Sequence, residues 1–425
     1  MQRIRHLNDF KAVNQFLNSL MSEASSRDRA YKLDNMRKLM AYLGNPQNSY
    51  RVIHVAGTSG KSSTCYFISA MLQTSGQKVG LTVSPHVYEV NERVQVDTEP
   101  MPEALFCTEF SIFLDEIRNS DVNPTYFEIL VAFAYWEFAR QRVDYAVVEV
   151  GLGGLLDGTN VVEQENKICV ITDIGHDHTK ILGNTLAEIT FQKAGIVLPK
   201  NIVFSFDKPG DTGKVLRDVC NEKGARLVEV DEISSINDRT DIPLFQRRNW
   251  QLALAVLRYL VTRDRLRMPA KARLYKTASI CIPARMEKWE YEGKTIIFDG
   301  AHNYQKLKFL VKSLNSMYPN RRIVGIVSMV KSPANKIKSN MRVLLPSLSY
   351  AIVTNFHISN LNRNATDSQK ILNQCLKLEF TECEAISNPA EAIKAALRRE
   401  EDIILIVGSL FLPSSIKPYL GSVKI

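Results

Sequence analysis

The chain of 425 residues has no apolar stretch approaching the roughly 18 residues that a membrane-spanning helix needs. Its longest apolar runs, such as Ile403-Ile404-Leu405-Ile406-Val407, have the length of a strand, so no membrane partner is expected. Cysteine is scarce and scattered: Cys65, Cys107, Cys169, Cys220, Cys281, Cys375 and Cys383 form no C-x-x-C pair, which argues against a disulfide framework and fits a reducing cytoplasm. Basic blocks are missing as well. The net charge of +9 is spread along the chain, and zinc-finger spacing, RNP-like aromatic motifs and arginine-rich segments are absent; nucleic acid is not expected, and small anions suit the charge better. There is no internal repeat or low-complexity tract. No signal-peptide core precedes the amphipathic spacing of Phe10, Val13, Leu17 and Leu20.

What is present is ordinary soluble-protein material, 45% hydrophobic and 23% charged, in a chain long enough for two domains. Short β-branched runs (51–55, 79–83, 145–150, 168–174, 202–206) alternate with helical patterns at 126–141 and 185–197. A second series follows: strands at 295–298, 323–328, 351–354 and 403–407, with helices at 304–317 and 389–399. This alternation predicts an α/β fold with a mostly parallel sheet. The helical segment 250–261 and the stretch Cys281–Arg285 put the boundary between a domain of residues 1–285 and a smaller one of residues 286–425.

The most informative stretch is His54-Val55-Ala56-Gly57-Thr58-Ser59-Gly60-Lys61-Ser62-Ser63-Thr64. A strand enters a glycine turn holding one lysine, and a helix follows. Glycines let backbone N–H groups turn inward, the helix start adds its positive dipole end, and Lys61 supplies a point charge for β- and γ-phosphates. The loop is short, with two residues between Gly57 and Gly60. Further clusters sit just past strand ends, where α/β sheets place ligands: Ser84-Pro85-His86, Glu149 before Gly151-Leu152-Gly153-Gly154, His176-Asp177-His178, and Asp299-Gly300-Ala301-His302-Asn303. A nucleoside triphosphate brings Mg²⁺, which needs only a carboxylate and a hydroxyl beside Lys61. Singly, each cluster also has a plain reading: Ser84 as a turn residue, His176 or His178 as a satisfied loop histidine, and Asp299–Asn303 as a turn capping the next helix. Lys193, by periodicity, reads as an exposed helix lysine.

Taken together, these motifs make the chain resemble folylpolyglutamate synthase and dihydrofolate synthase, the folate branch of the Mur ligase superfamily. The likeness runs through Leu43–Gln47, Gly57–Ser63, Ser84–His86, Asn91-Glu92-Arg93, Tyr126–Glu128, Glu149–Gly154, Asp177–Thr179, Leu182–Thr185, Lys193–Ile196, Asp299–Asn303 and Gly408–Leu410. It implies a P-loop ATPase domain, a Rossmann-like domain closing over the cleft, and an ATP-dependent ligase acting on L-glutamate and a folate-type acceptor through an acyl phosphate. Carried over by motif, Gly57, Thr58, Gly60, Lys61, Ser62, Ser63, Asn249, Arg285, Asp299 and His302 would contact ATP. Ser84, Glu149 and His178 would hold Mg²⁺, and Thr125, Tyr126, Leu155 and Asp157 would contact the acceptor. Lys61, Lys193, His178 and Arg285 would serve catalysis, with Lys193 carbamylated. A cytoplasmic monomer is expected. The chain departs from the family at Ser62 (usually glycine), Leu155 (arginine), Gln192 (glutamate) and Tyr304 (proline), and in lacking an Asp-Lys pair after Ser328. Two alternatives are therefore kept: a nucleotide-binding member with lost or diverged ligase activity, and a Mur ligase for a peptidoglycan precursor.

Overall fold

A computed structural model describes residues 7, 9–24, 33–231, 241–356 and 365–421. It divides into two compact units, Met1–Ile236 with Arg248–Ala278, and Asn237–Arg247 with Ser279–Ile425. The chain thus changes unit at Ala278/Ser279, ahead of Arg285, and a short segment before Arg248 is counted with the second unit.

The first unit is built on an eight-stranded sheet in the order β4-β3-β2-β5-β1-β6-β7-β8. Its strands are β1 (Arg51–Ala56), β2 (Val79–Thr82), β3 (Gln95–Val96), β4 (Glu99–Pro100), β5 (Tyr145–Glu149), β6 (Ile168–Ile171), β7 (Ile202–Phe206) and β8 (Arg226–Val230). From β2 to β8 all pairings are parallel, with only the short β3 and β4 antiparallel. Strands β2, β5 and β6 are buried on both faces, which explains why they read as continuous apolar runs rather than as alternation. Register sets the site: β1 lies between β5 and β6, and Val55 pairs with Glu149 while Ala56 pairs with Ile171. The turns after β1, β2, β5 and β6 therefore leave the same sheet edge.

One sheet face is covered by an aromatic cluster. The helix Tyr126–Arg140 carries Phe133, whose ring lies 5.1 Å from Phe106 and 5.0 Å from Phe110, both edge-on. Removing a buried ring of this kind costs about 3–5 kcal/mol. The N-terminal helix Phe10–Ala24 packs its Val13 and Leu17 into this cluster, as its spacing predicts; residues 1–6 lie outside the described residues. Further along the same face Ala194, Ile196, Val203 and Leu216 pack with Ala56 and Ile171.

The second unit has its own six-stranded sheet, β13-β12-β11-β14-β10-β9. The strands are β9 (Arg285–Tyr291), β10 (Lys294–Asp299), β11 (Ile323–Val327), β12 (Tyr350–Val353), β13 (Cys383–Ala385) and β14 (Ile403–Val407). It is parallel except for the β9–β10 hairpin. Apolar clusters fill both faces, one around Leu307, Leu310 and Ile337, the other around Phe298, Ile393 and Ile404. Among the described residues no helix is long and apolar enough to cross a membrane, and all seven cysteines are free thiols.

Candidate active site

The glycine turn after β1 has a shape that few residues tolerate. Gly60 is left-handed, at φ +87°, immediately before the helix Lys61–Thr74, and a Cβ there would come 2.5 Å from Asn249 Oδ1. A Cβ on Gly57 would collide with Thr172 Oγ1. The turn is pinned from β6 onward: Thr58 N–H donates to Asp173 O (2.7 Å), Thr58 Oγ1 donates to Gly175 O (3.0 Å), and Thr172 Oγ1 donates to Ser59 O (2.7 Å). Because Thr172 and Asp173 hold the loop, β6 ends at Ile171, three residues short of the expected Ile174. Asp173 itself pairs with Arg248 at 3.1 Å.

Glu149 is the centre of this edge. It is almost fully buried at the end of β5, and its Oε1 accepts from Ser62 Oγ (2.9 Å) and lies 3.9 Å from Lys61 Nζ. Oε2 accepts from the Ser84 backbone N–H at 3.1 Å. The Ser84 hydroxyl oxygen is buried and makes no hydrogen bond within the described residues. A buried carboxylate next to an unsatisfied hydroxyl oxygen suits a hard cation that takes oxygen ligands. Ser63, the next residue of the loop helix, is buried behind Ser62.

Lys193 is buried, not exposed as its periodicity suggests. The reason is the loop after β5: Leu155 N–H donates to Gln192 O, and a Cβ on Gly154 would stand 2.8 Å from the carbonyls of Gln192 and Lys193. Gly195 meets Leu155 just as closely, and Asn160 Nδ2 bonds both Leu155 O and Gly195 O. Held this way, Lys193 Nζ donates to Gly57 O at 2.9 Å. His178 is more than half exposed at a left-handed backbone position, with its ring Nε2 3.9 Å from Asp177 Oδ1. Among the described residues no three His, Cys, Asp or Glu side chains gather as a metal cluster, so Glu149 has hydroxyl rather than further carboxylate neighbours.

Of the expected acceptor contacts, Thr125 caps the helix Tyr126–Arg140 in a reciprocal box with Glu128. Tyr126 offers its ring to the Arg93 guanidinium at 5.4 Å. Asp157 is buried, and its carboxylate is occupied by Leu152 N (2.7 Å), Thr159 N (3.0 Å) and Thr159 Oγ1 (2.5 Å), while burial pushes its pKa up. Thr159 in turn meets His54 Nε2 of β1 at 2.8 Å. This Asp157–Thr159–His54 chain was not foreseen from the sequence; its members are separated along the chain and show no spacing signal.

In the second unit, Asp299 and Arg285 are cross-strand partners at a register shift between Phe298 and Asp299. The buried Asp299 carboxylate accepts from Met286 N (2.9 Å) and Ala301 N (2.8 Å), yet burial prevails over these bonds and the Arg285 charge and raises its pKa to about 6. His302 Nδ1 lies 2.7 Å from Gly300 O, and Asn303 caps the helix Tyr304–Met317 through Lys306 N, as the plain reading of that turn expects.

Comparison with known proteins agrees with both units. Residues 55–231 match the Mur ligase middle domain, and residues 284–410 match the Mur ligase glutamate ligase domain. The chain is 30% identical to the dihydrofolate synthetase of Saccharomyces cerevisiae over 413 residues, covering 89% of this chain and 95% of that one. It is also 30% identical over 424 residues to the dihydrofolate synthase/folylpolyglutamate synthase of Bacillus subtilis, covering 91% and 94%. In fold it matches Escherichia coli FolC in complex with DHPP and ADP, with a TM-score of 0.80, 24% identity and 98% of each chain covered.

Proposed function

Because the chain belongs to the dihydrofolate synthase/folylpolyglutamate synthase family, ATP-dependent ligases that join L-glutamate to folates, we propose that it works through an acyl phosphate on the acceptor, at the site built on Gly57–Ser63. One observation supports this reading most: Glu149 draws Ser62, Lys61 and Ser84 to a single point at the edge where the glycine turn opens. Lys61 offsets charge on the transferring phosphoryl group, and the turn's backbone orients it. Gly57, Thr58, Gly60, Ser62 and Ser63 contact ATP in this reading, Thr58 also tying the turn to Gly175. Glu149 and the Ser84 hydroxyl would hold Mg²⁺, joined by His178; the ion would supply charge neutralisation on the phosphates. Asn249, Arg285, Asp299 and His302 contact ATP in this reading, with the Asp299 carboxylate as an acceptor for a ligand hydroxyl. Thr125, Tyr126, Leu155 and Asp157 bound the acceptor side.

Lys193 is assigned as a carbamate. Its buried amine donates to Gly57 O, and a carbamate keeps one N–H for that bond while adding an anionic group. The acceptors are dihydropteroate, tetrahydrofolate polyglutamates, or both, and the enzyme is a cytoplasmic monomer. Retention of Lys61, Glu149 and Ser84 in one constellation favours a working ligase over a member with lost chemistry. The test is direct: protein with ATP, Mg²⁺, L-glutamate and either acceptor should release ADP and a product one glutamyl unit heavier. Failure on both acceptors, with turnover on a UDP-linked muramyl substrate or with ATP binding alone, refutes the folate reading.

A further inference from the structure

Arg93 closes the single helical turn Val90–Arg93, and among the described residues no carboxylate pairs directly with its guanidinium; the charges of Glu149 and Glu92 act on it only from further away. The residue is 7% exposed. Its Nε donates to His86 Nδ1 at 3.0 Å, and its guanidinium lies 5.4 Å from the centre of the Tyr126 ring. Neither partner is an anion: the His86 ring accepts the Nε–H through its Nδ1 lone pair, and Tyr126 presents the face of its ring. The neighbouring carboxylates are engaged elsewhere. Glu92 accepts from the backbone of Val87, Tyr88 and Glu89; Glu128 is bound to Thr125 N, and Glu149 to Ser62 and Ser84. Among the described residues no carboxylate forms an ion pair with Arg93. A buried cation with no directly bonded anion is costly, and a guanidinium offers two parallel N–H bonds that match a carboxylate.

Position says which carboxylate. His86, the partner of Arg93, is two residues from Ser84, whose N–H is bonded to Glu149, and Tyr126 opens the helix whose positive end faces the same region. Resting on the ligase reading above, we propose that Arg93 binds the reacting carboxylate of the acceptor, a pterin-type carboxylic acid, with His86 and Tyr126 fixing the guanidinium in place.

The experiment is equilibrium binding of dihydropteroate and of its carboxamide to wild type and Arg93→Met, each with ADP and Mg²⁺, alongside thermal unfolding of both unliganded proteins. Arg93→Met should bind the acid about 10- to 100-fold more weakly, as expected for losing a charge-assisted hydrogen-bonded pair. Wild type should bind the carboxamide with a similar loss, and the variant should lose nothing more on the carboxamide. ADP affinity should stay unchanged, and the melting temperature of Arg93→Met should equal or exceed wild type, since a burial cost is removed. Equal weakening on acid and carboxamide, or a lower melting temperature with acid binding intact, overturns the assignment in favour of a structural arginine. A raised KM for L-glutamate with acid binding intact overturns it in favour of the other substrate. Wild type that binds neither acceptor form refutes the folate reading itself, a result distinct from any change in the variant.

Discussion

Asp299 offers a prediction whose sign and size follow from its surroundings. Its carboxyl is held at about 6 in the folded chain, against 3.8 for an unperturbed aspartate, because burial outweighs the Arg285 charge and two backbone N–H bonds. A folded value above the unfolded one means that the native state binds the proton more tightly. This group's contribution is therefore fully present below about pH 3.8 and is lost as the pH rises through 6. The difference of about 2 pH units corresponds to about 3 kcal/mol. Wild type alone is a poor probe, since Asp264 and Glu401, both held low, lose stability as the pH falls in the opposite sense. The difference between wild type and Asp299→Asn isolates the effect. Asparagine removes the charge but turns an NH₂ toward one of the two backbone donors, which offsets about 1 kcal/mol. Asp299→Asn should thus be about 1–2 kcal/mol more stable than wild type at pH 8, and less stable at pH 4.5. Urea denaturation followed by Trp289 fluorescence in a Trp136→Phe, Trp250→Phe background reads the second unit, because Trp289 is buried 5.8 Å from Phe298. A stability difference that does not change between pH 4.5 and 8 refutes the reasoning.

Other expectations concern the first unit. Lys61→Ala should lower kcat by about 100-fold or more while leaving circular dichroism unchanged, because it removes a charge aimed at the transferring phosphate; a rate equal to wild type removes the loop from the chemistry. Lys193→Ala should be inactive, and a high-resolution map of active protein should show density beyond Nζ; a bare amine in an active crystal rejects the carbamate. Gly60→Ala should lose about 2 kcal/mol, as the left-handed backbone is costly for alanine and the new methyl displaces Asn249. Differential scanning calorimetry should show the first unit melting several degrees lower, and an unchanged melting point would show that the turn tolerates a side chain.

The parts of the fold that were legible in the sequence are those where burial on both faces writes a continuous apolar run. Strands 202–206 and 403–407 and the helix 304–317 appear with the expected bounds. Edge strands were silent: β8, Arg226-Leu227-Val228-Glu229-Val230, and β13, Cys383-Glu384-Ala385, are short and half-exposed, and no apolar face marks them out. In the site, the glycines and Lys61 announce themselves through local geometry. The bonds that give them a purpose are non-local, as with Ser62 to Glu149 or Lys193 to Gly57, and no periodicity encodes them. Asn249 and Lys193 entered through resemblance for that reason. Arg93 lay inside a motif of the resemblance, but its lack of a directly paired carboxylate is visible only when its neighbours are placed.

The phosphate turn is made of four residues, yet the bonds that fix Gly57, Thr58 and Ser59 all come from far along the chain. Its partners lie 113 residues onward at Thr172 and 136 onward at Lys193. A chain emerging from the ribosome has the glycines and the lysine early but lacks the bonds that hold them in shape until the segment carrying Lys193 has been made. In the proposed reading, nucleotide capture would wait until most of the first unit has been made. ATP, abundant in the cell, would act as a late clamp on a nearly finished domain, and would give no help to the fragments that precede it.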